Sequence, residues 1–196
     1  MPIHRHLRAL RLSALSAHLV AALLIGPMPR PAAAQVPRAA TIPVPPTEAE
    51  EITRLMQAKD LQGALKRADQ FLVKNPRDLQ VRFLRAVILS DQNKTADAIA
   101  AFEALTQDFP ELPEPYNNLA VLHANQGELD LARSLLQQAI TAQPNYVTAY
   151  ENLGDVYVSL AAEAYQRALK IDPNRTTAQS KLTLTREISA KLRAVH

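Results

Sequence analysis

From Thr47 onward, apolar residues return every three or four positions, the period of helices buried along one side, and only Gly63, Gly127 and Gly154 interrupt as glycines. The pattern also repeats on a longer scale. Pro76, Pro110 and Pro144 stand 34 residues apart, with Ala64, Ala98 and Ala132 each twelve residues before its proline and Phe102 and Leu136 eight before theirs. A fixed period of this length means stacked copies of one unit, and 34 is the period of a helix–turn–helix. The expected fold is therefore all-α, an α-solenoid of antiparallel helix pairs. Its units fall at about residues 45–78, 79–112, 113–146 and 147–174, and a C-terminal helix caps the stack.

The units differ in informative ways. Thr47, with Glu50 three residues on, predicts a capping box at the start of the first helix. That helix is the weakest match and is expected to fray. In the second unit Val81, Leu84 and Ile88 form the apolar stripe, Asn93 takes the turn position where left-handed geometry is needed, and Arg82 is expected to pair with Asp78 four residues earlier. The fourth unit is short: 29 residues separate Pro144 from Pro173, five fewer than the period. What is missing is the turn. Leu153, Tyr157, Leu160, Ala164, Ala168 and Ile171 keep helical spacing throughout, which predicts one helix over about 148–170. A last helix over about 176–195 carries Leu184, Ile188, Leu192 and Val195 on one face.

In the third unit Tyr116, Leu119, Ala120, Gly127, Ala132, Leu136, Ala139 and Pro144 occupy the signature positions of the tetratricopeptide repeat. The chain resembles that family over about 47–174, and bacterial periplasmic members in particular. The physics agrees: Ala120 and Ala132 are small where paired helices must approach, Gly127 suits a left-handed helix end, and Pro144 stops the second helix. The resemblance implies a right-handed α-solenoid and a protein-binding module whose first helices line a concave face.

Asn118 and Asn152 are equivalent by the 34-residue period. In some family members an asparagine at this position holds the backbone of an extended peptide, and a carboxamide offers donors and an acceptor suited to that task. The same residues could instead hydrogen-bond within the solenoid. Asn117, Val121, Asn125, Glu151 and Asp155 are the expected neighbours of such a site, and their amides and acids favour a polar or mildly basic segment. The long helix raises a separate question, because its second half cannot fold back on its own unit. It packs either on the terminal helix or on a second chain, giving a two-fold homodimer. Leu160, Tyr165 and Leu169 are large for a surface and tilt the choice toward the dimer.

Charge changes the picture little. The sequence pI is about 9.3, but the first 34 residues hold four arginines and no acid, leaving 18 basic against 19 acidic residues in the remainder. Nucleic acid is thus not an expected partner. Residues 1–34 read as a cleavable export signal, with a cationic start from His4 to Arg11, an apolar run from Leu12 to Ile25, and Ala32-Ala33-Ala34 before the cut. Residues 35–46, rich in proline, read as a disordered linker. Residues 47–174 form the repeat domain and 175–196 the cap. The expected location is the periplasm, with no membrane insertion once the signal is cut. There is no cysteine, and beyond the leader only His123 and His196 remain as histidines. His123 is expected to be buried at a packing position. With no metal-spaced cluster and no phosphate loop, neither catalysis nor a cofactor is expected. Two readings follow: an adaptor binding a peptide or partner segment around Asn118 and Asn152, or a homodimeric envelope assembly factor working through the long helix.

Overall fold

The computed structural model describes residues 46–195. The leader and nearly all of the proline-rich linker lie outside the described residues. Within them the regular structure is helical: α1 (Glu48–Gln57), α2 (Leu61–Lys74), α3 (Leu79–Asp91), α4 (Thr95–Asp108), α5 (Pro113–Asn125), α6 (Leu129–Ala142), α7 (Val147–Ile171) and α8 (Thr176–Val195).

Local chemistry sets these boundaries. The Thr47 hydroxyl accepts from the Glu50 amide and the Glu50 carboxylate accepts from the Thr47 amide at 2.6 Å, a complete capping box. Asp60 caps α2 through the Gly63 amide, and Asp78 caps α3 through the Val81 amide, each at 2.9 Å. Pro113 opens α5, where its missing N–H would have had no helical partner anyway. The turns inside units one to three share one geometry. Lys59, Asn93 and Gly127, spaced 34 apart, have φ of 64°, 59° and 84°. After each, the next amide reaches back to close the helix end: Asp60 to Leu55, Lys94 to Leu89 and Glu128 to His123.

Consecutive helices pack as pairs. Two of the three neighbouring pairs of first helices also meet, α1 with α3 and α5 with α7, whereas α2, α4 and α6 make no comparable contact with one another. The layer of first helices is therefore the tighter, inner side of the stack. Two apolar clusters fill it. One joins Ile52, Ala64, Ala68, Val81, Leu84 and Ile88; the other runs from Ala86 through Phe102, Leu105, Ala120, Ala132 and Leu136 to Val156. Ala120 and Ala132 are sealed at the close approach of α5 and α6, as their size requires.

The fourth unit has no turn. α7 runs 25 residues without a break, one residue longer at each end than its apolar spacing predicts. α8 folds back along it in the same chain.

Four expectations are corrected. On α7 the buried line is Ala149, Asn152 and Val156, while Tyr157, Ala164 and Ile171 of the expected stripe are exposed, because α5 and α6 take one side of the helix and α8 another. On α8 the buried face is Ala178, Leu182 and Thr185; Leu184 and Ile188 point outward. Arg82 does not pair with Asp78, whose carboxylate is committed to capping; it meets Asp108 at 2.6 Å and lies over the Phe109 ring. Finally, α1 is held rather than loose: Ile52 is fully buried and the Glu48 carboxylate accepts from Nε and Nη2 of Arg67 on α2.

Candidate protein-interaction site

The asparagines lie where the inner helices are most enclosed. Much of α5 is buried: Asn117, Asn118, Leu119, Ala120, Val121, Leu122 and Ala124 have almost no accessible surface. Asn152, on α7, donates from Nδ2 to Asn117 Oδ1 at 2.7 Å, tying the third unit to the fourth across 35 residues. A buried amide pair of this kind is worth about 1 kcal/mol net, and breaking it costs more because one group is left without a partner.

Asn118 behaves differently. It is 3% exposed, yet its carboxamide makes no side-chain hydrogen bond among the described residues. No fully sealed side-chain polar atom there lacks a partner, so the Asn118 amide keeps an opening to the surface. The two equivalent asparagines thus have different uses. Asn152 is consumed by the scaffold, while Asn118 retains free hydrogen-bonding capacity.

Around them Val121 is buried, Asp155 is half-buried, and Asn125 and Glu151 are exposed. Of the expected site residues, Asn117 and Asn152 are in direct contact and Asn118 and Val121 are buried on the same helix as Asn117, whereas Asn125 and Glu151 are exposed. The expected dimer residues Leu160, Tyr165 and Leu169 are half-buried, and Lys181 of α8 lies 5.7 Å from the Tyr165 ring centroid. His123 is half-buried rather than sealed, and its ring hydrogen-bonds Glu128 through Nδ1. Arg85 pairs with Asp69 at 2.6 Å, so both arginines of α3 are engaged by their own chain.

Two features escaped the sequence reading. The Asn117–Asn152 bridge joins neighbouring positions of adjacent units, one residue out of the 34-residue register, and a search for identical positions passes over it. A shallow hollow also lies between α1 and α2, lined by Glu48, Arg67, Gln70, Phe71, Lys74 and Asn75. Two of its charges, Arg67 and Glu48, are matched to each other: the Glu48 hydrogen bond, partly offset by desolvation, raises the Arg67 pKa further. Among the described residues no His, Asp or Glu group could hold a metal, and no helix is long and apolar enough to cross a membrane.

Models of the tetratricopeptide repeat match residues 50–113 and 89–154, together more than half of the sequence. The chain belongs to the tetratricopeptide repeat family. A chloroplast tetratricopeptide repeat domain-containing protein of Arabidopsis thaliana, PYG7, is 32% identical over 130 residues, covering 63% of this chain and 42% of its own. The chain spans less than half the length of the curated relatives it matches. Among solved structures, MamA superposes with a TM-score of 0.53 at 24% identity, covering 75% of this chain and 82% of MamA. The first tetratricopeptide domain of Spaghetti (RPAP3), bound to the HSP90 peptide SRMEEVD, gives a TM-score of 0.54 at 15% identity over 58% and 90% of the two chains. At these identities both show the shared fold.

Proposed function

We propose that this tetratricopeptide protein is a non-catalytic adaptor of the periplasm that holds a peptide or partner segment against its inner layer of helices, with Asn118 as the main-chain anchor. The observation that carries the reading is the Asn118 carboxamide, almost buried but with no side-chain hydrogen bond among the described residues. A peptide bond satisfies both ends of a carboxamide regardless of the ligand's side chains. Asn125 and Glu151, exposed nearby, supply polar contacts for the flanking residues. The peptide-bound Spaghetti domain gives a precedent for peptide capture on a related fold. The export signal read in residues 1–34 supports the location.

A photo-crosslinking residue placed at Asn125 in the native cell tests the reading. Adducts are expected in the periplasmic fraction, and they should vanish when Asn118→Ala is added. Asn152→Ala should instead lower folding stability by about 1–3 kcal/mol, because it strands Asn117. Adducts indifferent to Asn118→Ala would overturn the anchor, and a cytoplasmic full-length chain would overturn the location.

A further inference from the structure

The fourth unit contains both halves of a helix pair on one rod, and neither half has met its complement. In the first three units the second helix covers a set of positions on the first, and the 34-residue register identifies them. Arg82, Tyr116 and Tyr150 are equivalent, as are Ala86, Ala120 and Gly154, and Leu89, His123 and Tyr157. Ala86, Ala120 and Leu89 are buried and His123 half-buried, but Tyr150, Gly154 and Tyr157 are all exposed, the tyrosines at 50% and 47%. The face that a second helix should cover is open on α7.

The matching face lies further along the same helix. Ala161, Tyr165 and Ala168 precede Pro173 by twelve, eight and five residues, as Ala132, Leu136 and Ala139 precede Pro144 and Ala98, Phe102 and Leu105 precede Pro110. The six residues of the complete units are fully buried, whereas Ala161, Tyr165 and Ala168 are half-buried although α8 lies beside them. With the turn residues missing, the helix is continuous and its two halves cannot fold onto each other. Loss of a hinge loop in this way favours exchange of an element between protomers.

The outward surface of α7 has the form such an exchange needs. Tyr150, Gly154, Tyr157, Ala161, Ala164, Ala168 and Ile171 follow one another at spacings of 4, 3, 4, 3, 4 and 3, the seam of paired helices. The whole seam is uncharged and lies partly or fully in solvent. Gly154 is the decisive residue. Glycine is a poor helix former, and a Cβ there would meet nothing within 4 Å. The described residues give no reason for the missing side chain; close approach of a second helix does.

We propose that two copies of this chain pair through α7, antiparallel about a two-fold axis near Ala161, so that the second half of each α7 completes the fourth repeat of the other. A second copy is the occupant because α7 itself carries the complementary face, in the reversed order that a two-fold axis requires. The inference is independent of peptide capture at Asn118.

The chain has no cysteine, so single cysteines introduced into the full chain report the pairing directly. Ala161→Cys, close to the axis, should crosslink to itself under mild oxidation. Ile171→Cys alone should not, because ten residues from the axis the two copies lie about 30 Å apart. A mixture of Tyr150→Cys and Ile171→Cys chains should give the mixed dimer. Sedimentation equilibrium should show a dimer that Gly154→Arg converts to a monomer of unchanged helix content and that Asn118→Ala leaves intact. A monomer at tens of micromolar, self-crosslinking at Ile171→Cys, or a dimer that survives Gly154→Arg would each overturn the proposal. Should Gly154→Arg fail to fold, the cysteine pattern still decides.

Discussion

Three residues at one repeat position, Lys59, Asn93 and Gly127, adopt positive φ and end the first helix of their units in the same way. The position is tolerant only at a cost, since a side chain in left-handed geometry is disfavoured by roughly 1–2 kcal/mol, less for asparagine. Gly127 has open space around it, so a Cβ would meet no neighbour and only the backbone would resist it. Gly127→Ala should therefore lose about 1 kcal/mol, measured by urea unfolding. Lys59→Gly should gain somewhat less, because glycine also frees the unfolded chain. Equal stability in all three proteins would contradict the strain. The geometry at Asn93 and Gly127 was legible from residue type. Lys59 was not, because lysine has no local signature for it; only the 34-residue register, counted backwards, points there.

At the scale of elements, α8 shows where periodicity runs out. Its length was legible from the proline before it and the apolar spacing along it, but its orientation was not. The helix carries two apolar lines, and the sequence favours Leu184 and Ile188 because they are the larger. The structure buries Ala178, Leu182 and Thr185 instead. Thr185 can take an inward place because its hydroxyl donates back to the Leu182 and Lys181 carbonyls, leaving its methyl for packing. Leu182→Ala should then cost about 2 kcal/mol in chemical denaturation, while Leu184→Ala stays within about 0.5 kcal/mol. The reverse ranking would restore the face read from sequence. The candidate site was legible to the same partial degree. The 34-residue spacing placed Asn118 and Asn152 together at adjoining units, but it treats them as equals. Only packing decides which amide is spent on Asn117.

The whole molecule is a stack in which each unit touches its neighbours, so its stability should be distributed along the chain rather than held in one core. The two apolar clusters give that expectation a boundary. α3 stands between them, with Val81, Leu84 and Ile88 turned toward α1 and α2 and with Ala86 and Leu89 turned toward α4 and α5. Leu65 is the partly buried side chain that packs on both. On the first side Ile52 is fully buried; on the second Phe102 is sealed against Phe83, edge to face with centroids 5.8 Å apart. Removing either side chain should cost several kcal/mol, but the effects should be felt in different places. Ile52→Ala should speed amide exchange in α1 and α2 while α5 and α6 keep their protection. Phe102→Ala, placed in the larger cluster, should weaken protection from α3 through α7. If instead each substitution lowered protection by the same amount in every helix, the stack would be one cooperative unit and α3 would mark no boundary within it.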